Sequence, residues 1–528
     1  MIKKHLLGGA LLVSVLVLLT GCKEMMSSLD NPVSAYFEVT PTQATIVKNQ
    51  TCQIKYSTIS DGKVTFKSSA ENIATVDANG LVTAKTAGTA IITVELAATP
   101  YYQGATKNVE ISVDAVLSID ATEVTVGYGA SINLVKDYHL ARKGEATINY
   151  EIIEGGDFIT LDETTKDITG KACGNAKVKV SVPASTTASS DELVIDVKAR
   201  VQNLAQLVAV IGSGDEPFAY LADDVAITLP AADFDLSGKK VTIKGDDKKP
   251  ATFTMGANGI IINNNFKIEN VKINGSALTT PFIKMATLPT TGLNEKGAFE
   301  IDYVAFENVE TTGIPLQFFY ANKQKYLIKS FTVENCQFAM ANGNSSNVNT
   351  IFDFNGGGNT ALLQINNSTI WCNPARVKAG DFFNSQSGQG AIELGSEKQV
   401  RSITNSTMYN ISYGQNTCSV RRNDVSGMSY VVKNCIIVNC GKSGQFLVGL
   451  NGGSSKGDSK VKWEVAGSLF NSGGSDKSAD EATKVGNDKG GNAIVTDYLT
   501  GTVSFQDAAA GDFTQSGYNA GDPRWIKK

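Results

Sequence analysis

Histidine is almost missing from this chain: among 528 residues only His5 and His139 carry an imidazole. Everything beyond residue 139 therefore lacks the usual general base near neutral pH. Ser-His and Cys-His nucleophilic chemistry is excluded there, and so is a histidine-rich zinc site. The chain has only 12 Pro and 3 Trp, and its 8 Cys include no Cys-x-x-Cys pair, so no metal site is expected. Positive charge is not in excess. Lys and Arg number 47 against 52 Asp and Glu, a formal net charge of −5, which excludes nucleic acid as a partner because that requires a basic stripe. Long hydrophobic runs are also absent. The longest, Leu6 to Leu19, falls short of the roughly 20 residues that span a bilayer as a helix. What is abundant is glycine, at 50 residues, with 42% hydrophobic and 19% charged residues overall. That is a globular composition suited to short strands joined by turns, on a chain too long for one core.

Lys3 and Lys4 precede the apolar run, which ends in Leu19-Thr20-Gly21-Cys22. A basic start and a short apolar run make a secretory signal peptide. The last four residues resemble a bacterial lipobox, which implies cleavage before Cys22 and acylation of its thiol. Residues 1–21 are thus expected to be a signal peptide and 22–33 a lipidated cysteine with an aperiodic tether. The expected location is the outer membrane, exposed at the cell surface and held by lipid. The other seven cysteines, being odd in number, leave at least one thiol free, and their pairing stays open.

Residues 34–115 alternate apolar and polar side chains in short runs. In Ile73-Ala-Thr-Val76-Asp-Ala-Asn79-Gly80-Leu-Val-Thr-Ala84, Asn79-Gly80 is a hairpin turn, and Gly88 marks a second turn. The segment resembles bacterial immunoglobulin-like domains of group two. Residues 116–199 repeat the plan without the Asn-Gly, with Phe158-Ile-Thr-Leu161-Asp in the place of Ile73-Ala-Thr-Val76-Asp. Both modules are expected to act as spacers.

Apolar residues at Leu204, Leu207, Val208 and Ile211 have helix spacing. Beyond them one phrase recurs. It reads Phe266-Lys-Ile268-Glu-Asn270-Val271, then Ala305-Phe306-Glu-Asn308-Val309, and continues through Asn335, Asn367, Asn405 and Asn434 at spacings of 38, 27, 32, 38 and 29 residues. A repeat with variable inserts is a solenoid signature. Each copy would be one coil of a parallel β-helix, with the short helix from Leu204 capping its open end. Asparagine tolerates left-handed backbone geometry at a tight bend, and its amide can bond the asparagine of the next coil. The residue after it is mostly small, so Cys336 and Cys435 read as stacked packing residues rather than nucleophiles. At this point the region 200–528 resembles the pectin-lyase-like right-handed β-helix superfamily. The whole chain is similar to Bacteroidota surface lipoproteins that join immunoglobulin-like modules to such a helix, including the closing phrase Ala520-Gly-Asp522-Pro-Arg524-Trp525. The expected fold is all-β: two immunoglobulin-like sandwiches followed by a right-handed parallel β-helix with a short N-terminal capping helix.

The resemblance admits enzymes and non-enzymes. The Asp223-Asp224 and Asp246-Asp247 pairs precede the repeats and have no histidine partner, which disfavours a hydrolase of the polygalacturonase kind. A lyase acting on uronates would need a Ca²⁺ site of carboxylates and a basic side chain to take a proton. Before each asparagine strand stands a triplet: Leu316-Gln317-Phe318, Phe352-Asp353-Phe354, Ile392-Glu393-Leu394 and Val420-Arg421-Arg422. Period-two alternation would turn Gln317, Asp353, Glu393 and Arg421 outward in one row, at coil spacings of about 4.8 Å. Asp353, Glu393, Arg421 and Arg422 are thus the catalytic candidates. Gln317, Asp353, Glu393, Arg421, Trp371 and Tyr409 are the ligand candidates, the two rings as platforms for a pyranose. Arg376 and Lys378 beside Phe382 and Phe383 offer a second groove wall. No complete catalytic set is recognisable. The leading expectation is a non-catalytic, lipid-anchored surface protein that binds extracellular polysaccharide, anionic glycans included, without a cofactor. The alternatives are a lyase on uronate-containing glycans, with Ca²⁺ its one implied cofactor, and a structural or adhesive surface protein with a protein partner.

Overall fold

The computed structural model describes residues 32–527 except 144–146, 185–189, 316, 342–349, 355–356, 373–381, 385–389, 412–417, 421–427, 441–448, 451–461, 473–496 and 500. Among the described residues no helix is long and apolar enough to cross a membrane. Cys22 and the segment before it lie outside them.

The first sandwich sets the four-stranded sheet Gln43–Val47, Ala105–Asp114, Gly88–Leu96, Val64–Ser68 against a three-stranded sheet, Thr51–Gln53, Leu81–Ala84, Ala74–Val76. Alternation along Gly88–Leu96 turns Ala90, Ile92, Val94 and Leu96 into the core. Gly80 takes φ +81° in the hairpin between Val76 and Leu81, where Asp77 Oδ1 accepts from the backbone N–H groups of Asn79 and Leu81. The second sandwich has the same four-strand order, Glu123–Gly127, Asp191–Arg200, Gly174–Val182, Asn149–Glu154, with its outermost strand parallel to its last as in the first. The missing Asn-Gly therefore changes one turn and not the topology. Between the sandwiches, Lys48 Nζ lies 2.5 Å from the buried carboxylate of Asp191, which also accepts from Leu117 N–H. Burial opposes ionisation of Asp191, but these two partners outweigh it and hold the carboxyl below its usual range.

The helix Leu204–Gly212, capped by the Asn203 side chain, buries Leu207, Val210 and Ile211 against the first coil. Val208, expected on the apolar face, is 53% exposed, and Val210 takes its place. Cys173 from the second sandwich enters the same core, and the Arg200 guanidinium stacks 3.6 Å from the Tyr220 ring. The sandwich is thus joined to the capped end by packing as well as by the chain.

From Phe218 onward the successive coils build three parallel sheets, A, B and C, of nine, ten and eight strands among the described residues. In the third coil these are Phe266–Glu269 in A, Val271–Asn274 in B and Ile283–Met285 in C. The core between them is a column of stacked rings. Phe306 lies 5.0–6.4 Å from Phe266, Phe282, Phe318, Phe331 and Phe338, centroid to centroid.

The A-to-B bend falls at each repeated asparagine. Asn270, Asn308, Asn335, Asn367, Asn405 and Asn434 all have φ between +47° and +55°, and Gly467 continues the series at +58°. The amide ladder is partly direct: Asn308 Nδ2 donates to Asn270 Oδ1 at 2.8 Å and Asn434 Nδ2 to Asn405 Oδ1 at 3.3 Å. In between, Asn367 turns to Glu334 and Asn405 to Asn366. The following small residues form their own column. The N–H groups of Cys336 and Ser368 donate to the hydroxyls of Ser368 and Ser406. Cys336 and Cys435 are fully buried, and burial pushes both thiols up to about 12, so neither is a nucleophile at neutral pH.

Candidate functional site

The outward face of sheet C is built from strands of two or three residues, along which one side chain enters the core and the next leaves it. Phe234, Ile260, Ile283, Phe319, Phe352 and Phe383 point inward in one register. Their neighbours Asp235, Ile261, Lys284, Tyr320 and Asp353 make the outer row, in which Lys284 and Tyr320 are half-buried and Asp353 is buried. Lys284, Tyr320 and Asp353 stand on three adjacent strands, so consecutive members are about 4.8 Å apart along the helix axis. Gln317 Nε2 donates to Asp353 Oδ2 at 3.2 Å from the segment leading into the Tyr320 strand. Burial raises the Tyr320 phenol above its ordinary value, and the Asp353 carboxylate adds to the effect. Tyr320 therefore stays a neutral donor and acceptor beside a carboxylate. The half-buried ammonium, phenol and amide can meet sugar hydroxyls by both donating and accepting, with the buried Asp353 carboxylate bracing the amide from behind.

The expected row is only partly assembled. Gln317 and Asp353 meet, but Gln317 is not the strand residue. Phe318-Phe319-Tyr320 carries two overlapping alternations, and Phe319 wins the ladder position opposite Phe352 while Phe318 stacks 4.2 Å from Phe338. Glu393 does not belong to the row. Residues 391–395 form a turn, with Ala391 and Leu394 packed on Ala298 and Leu327 in a separate small core, and Glu393 is exposed there. The sheet C strand of that coil is Phe383–Asn384 instead. Arg421, Arg422, Arg376 and Lys378 lie outside the described residues, whereas Phe382 and Phe383 are buried in the main core rather than walling a groove. Sequence reasoning missed Lys284 and Tyr320. The available signal was the repeated pair of an inward apolar residue and an outward polar one, Ile283-Lys284 and Phe319-Tyr320.

Trp371 and Tyr409 are not platforms. Along sheet B the outward ladder changes character, from Thr252, Lys272, Glu310 and Gln337 to Thr369, Thr407, Ile436 and Leu469. Trp371, Tyr409 and Val438 form the parallel row beside the later members. The C-terminal segment covers this apolar stretch. Phe513 lies 5.5 Å from the Trp371 ring and 5.6 Å from Tyr409, and Phe505 lies 5.8 Å from Tyr409. Gly511, at φ +86°, leaves no room for a side chain, because a Cβ there would fall 2.8 Å from the Trp371 ring. The two rings are packing residues beneath a strap. Among the described residues no group of three metal-ligating side chains occurs.

Two families match parts of the chain. Residues 35–99 match the family described as bacterial Ig-like domain (group 2), and residues 224–373 match the family described as domain of unknown function (DUF4957). No curated protein matches. Among solved structures, S-layer protein SbsC domains 4 and 5 are 16% identical, over 32% of this chain and 99% of that one, at a TM-score of 0.14. Drosophila N-cadherin EC1-3 is 11% identical over 33% and 69%, at 0.16. A SusE-like surface-located polysaccharide-binding protein from the Bacteroides thetaiotaomicron heparin utilisation locus is 15% identical over 31% and 34%, at 0.18.

Proposed function

We propose that the protein is a lipid-anchored cell-surface protein that holds extracellular polysaccharide on the outward face of sheet C without cleaving it. The observation that carries this reading is the Lys284, Tyr320 and Asp353 row with Gln317 bonded to Asp353. A repeating polymer suits a repeating face, since successive sugars can meet successive strands. The Leu19-Thr-Gly-Cys22 motif supports the anchor, and two sandwiches between anchor and β-helix would hold the binding face away from the membrane.

The test is a glycan array with the soluble chain from residue 32 onward, run with and without Ca²⁺, and then with Tyr320→Ala and Asp353→Asn. Binding that both variants weaken, with no ultraviolet-absorbing unsaturated product, supports capture. Formation of that product would replace the reading with a lyase. A silent array would remove polysaccharide as the ligand.

A further inference from the structure

A cleft edged by polar side chains lies on a different edge of the β-helix from the sheet C row. The bends joining sheet A to sheet B in four consecutive coils, at Asp247, Asn270, Asn308 and Asn335, border a cleft of about 480 Å³. At coil spacings of about 4.8 Å it runs roughly 14 Å along the axis. Lys272 and Glu310, on the outer face of sheet B, form its side, with Lys272 Nζ 3.9 Å from the Glu310 carboxylate. Arg524, from the C-terminal segment, closes the end.

Two features tell what this cleft can hold. The asparagine ladder is interrupted inside it. Asn308 Nδ2 bonds Asn270, but among the described residues Asn335 makes no such bond to Asn308, and Asn367 of the next coil turns to Glu334 at 2.8 Å. Asn335 is exposed, so its amide is left facing solvent at the bend with a donor and an acceptor. The charge of the cleft is also nearly cancelled. Arg524 spends its guanidinium on Asp522 and on the carbonyl oxygens of Asn335 and Cys336, at 3.0 and 2.7 Å. Lys272 is matched by Glu310, and Asp247 leaves the lining slightly negative. An anionic polymer meets no free cation there, whereas hydroxyl groups find both donors and acceptors.

We propose that this cleft is a second carbohydrate site, for a short stretch of uncharged glycan, separate from the face of sheet C. It does not require the sheet C reading. Isothermal titration of the full mature chain with cellotetraose, mannotetraose and xylotetraose, with tetragalacturonate as the anionic comparison, tests it. At least one neutral tetrasaccharide should bind, and Asp247→Asn with Glu310→Gln should weaken that binding by about tenfold or more. Lys272→Ala should also weaken it, and Val208→Ala on the exposed side of the capping helix should leave it unchanged. If the double variant fails to fold, Lys272→Ala alone decides. Silence from all three neutral sugars, binding indifferent to the cleft variants, or tighter binding of tetragalacturonate at these residues would each overturn the proposal.

Discussion

Arg524 donates from Nη2 to the backbone carbonyl of Cys336 at 2.7 Å, although 188 residues separate them. The same guanidinium reaches the carbonyls of Asn335 and Asn367 and pairs with Asp522. Asp522 has a fully buried side chain; it accepts from Thr369 Oγ1 at 2.7 Å, and its N–H donates to Thr407 Oγ1 at 3.0 Å. Trp525 Nε1 bonds the same Thr369 hydroxyl, and Gly521 N–H bonds the Asn434 carbonyl. The closing phrase is therefore a clasp across the bends of successive coils.

Arg524→Ala strips the buried Asp522 carboxylate of its cation. About 3–5 kcal/mol of stability should be lost, because an uncompensated buried charge costs far more than the pair contributes. Asp522→Ala with Arg524→Ala should recover part of that loss. Urea unfolding followed by tryptophan emission reads this directly, since Trp371, Trp463 and Trp525 all lie in the β-helix half. A single variant as stable as the parent would remove the clasp.

Asn405, at φ +47°, separates two contributions of the ladder. Asn405→Gly keeps the left-handed bend and loses only amide bonds, about 1 kcal/mol. Asn405→Ala adds left-handed strain of roughly 1–2 kcal/mol more. Equal midpoints for the two variants would show that the backbone angle contributes nothing.

Phe306→Ala should cost about 3–5 kcal/mol, since it empties the centre of the ring column. The exposed Val208→Ala should stay within about 0.5 kcal/mol. The same urea titration ranks them, and a small Phe306 effect would mean the column closes over the void.

Acid should loosen sheet A. Burial works against ionisation of Glu269, but Lys244 and Lys267 outweigh it and hold the carboxyl below its usual range. Asp302 is lowered by its bonds to Lys329 and Asn265. Folded carboxyls that titrate lower than unfolded ones add stability above the unfolded values of about 4, and that stability is lost as pH falls through the folded ones. The urea midpoint should fall below about pH 4, and Glu269→Gln should flatten that fall. An unchanged acid limb in the variant would sink the assignment.

Cys336, Cys435 and Cys440, each with its thiol pushed up to about 12 by burial, should resist an aromatic disulfide reagent until the chain unfolds. Rapid native labelling of any of the three, mapped by mass spectrometry, would contradict their burial.

Local chemistry alone determined much of this molecule. Asparagine's tolerance of positive φ and the period-two alternation around it are written residue by residue, so the bends from Asn270 to Asn434, the solenoid and the capping helix were legible. So was the inert packing role of Cys336 and Cys435. The candidate site was legible only where alternation was unambiguous, as at Phe352-Asp353. At Phe318-Phe319-Tyr320 either phenylalanine could lead the strand, and the ring stack chose. Glu393 reads as strand locally, but Leu394 finds its core on Leu327. Trp371 and Tyr409 look like open platforms until residues about a hundred or more positions later fold back over them. Which outward residues remain in water is decided by what packs above them, a long-range choice that only tertiary structure makes.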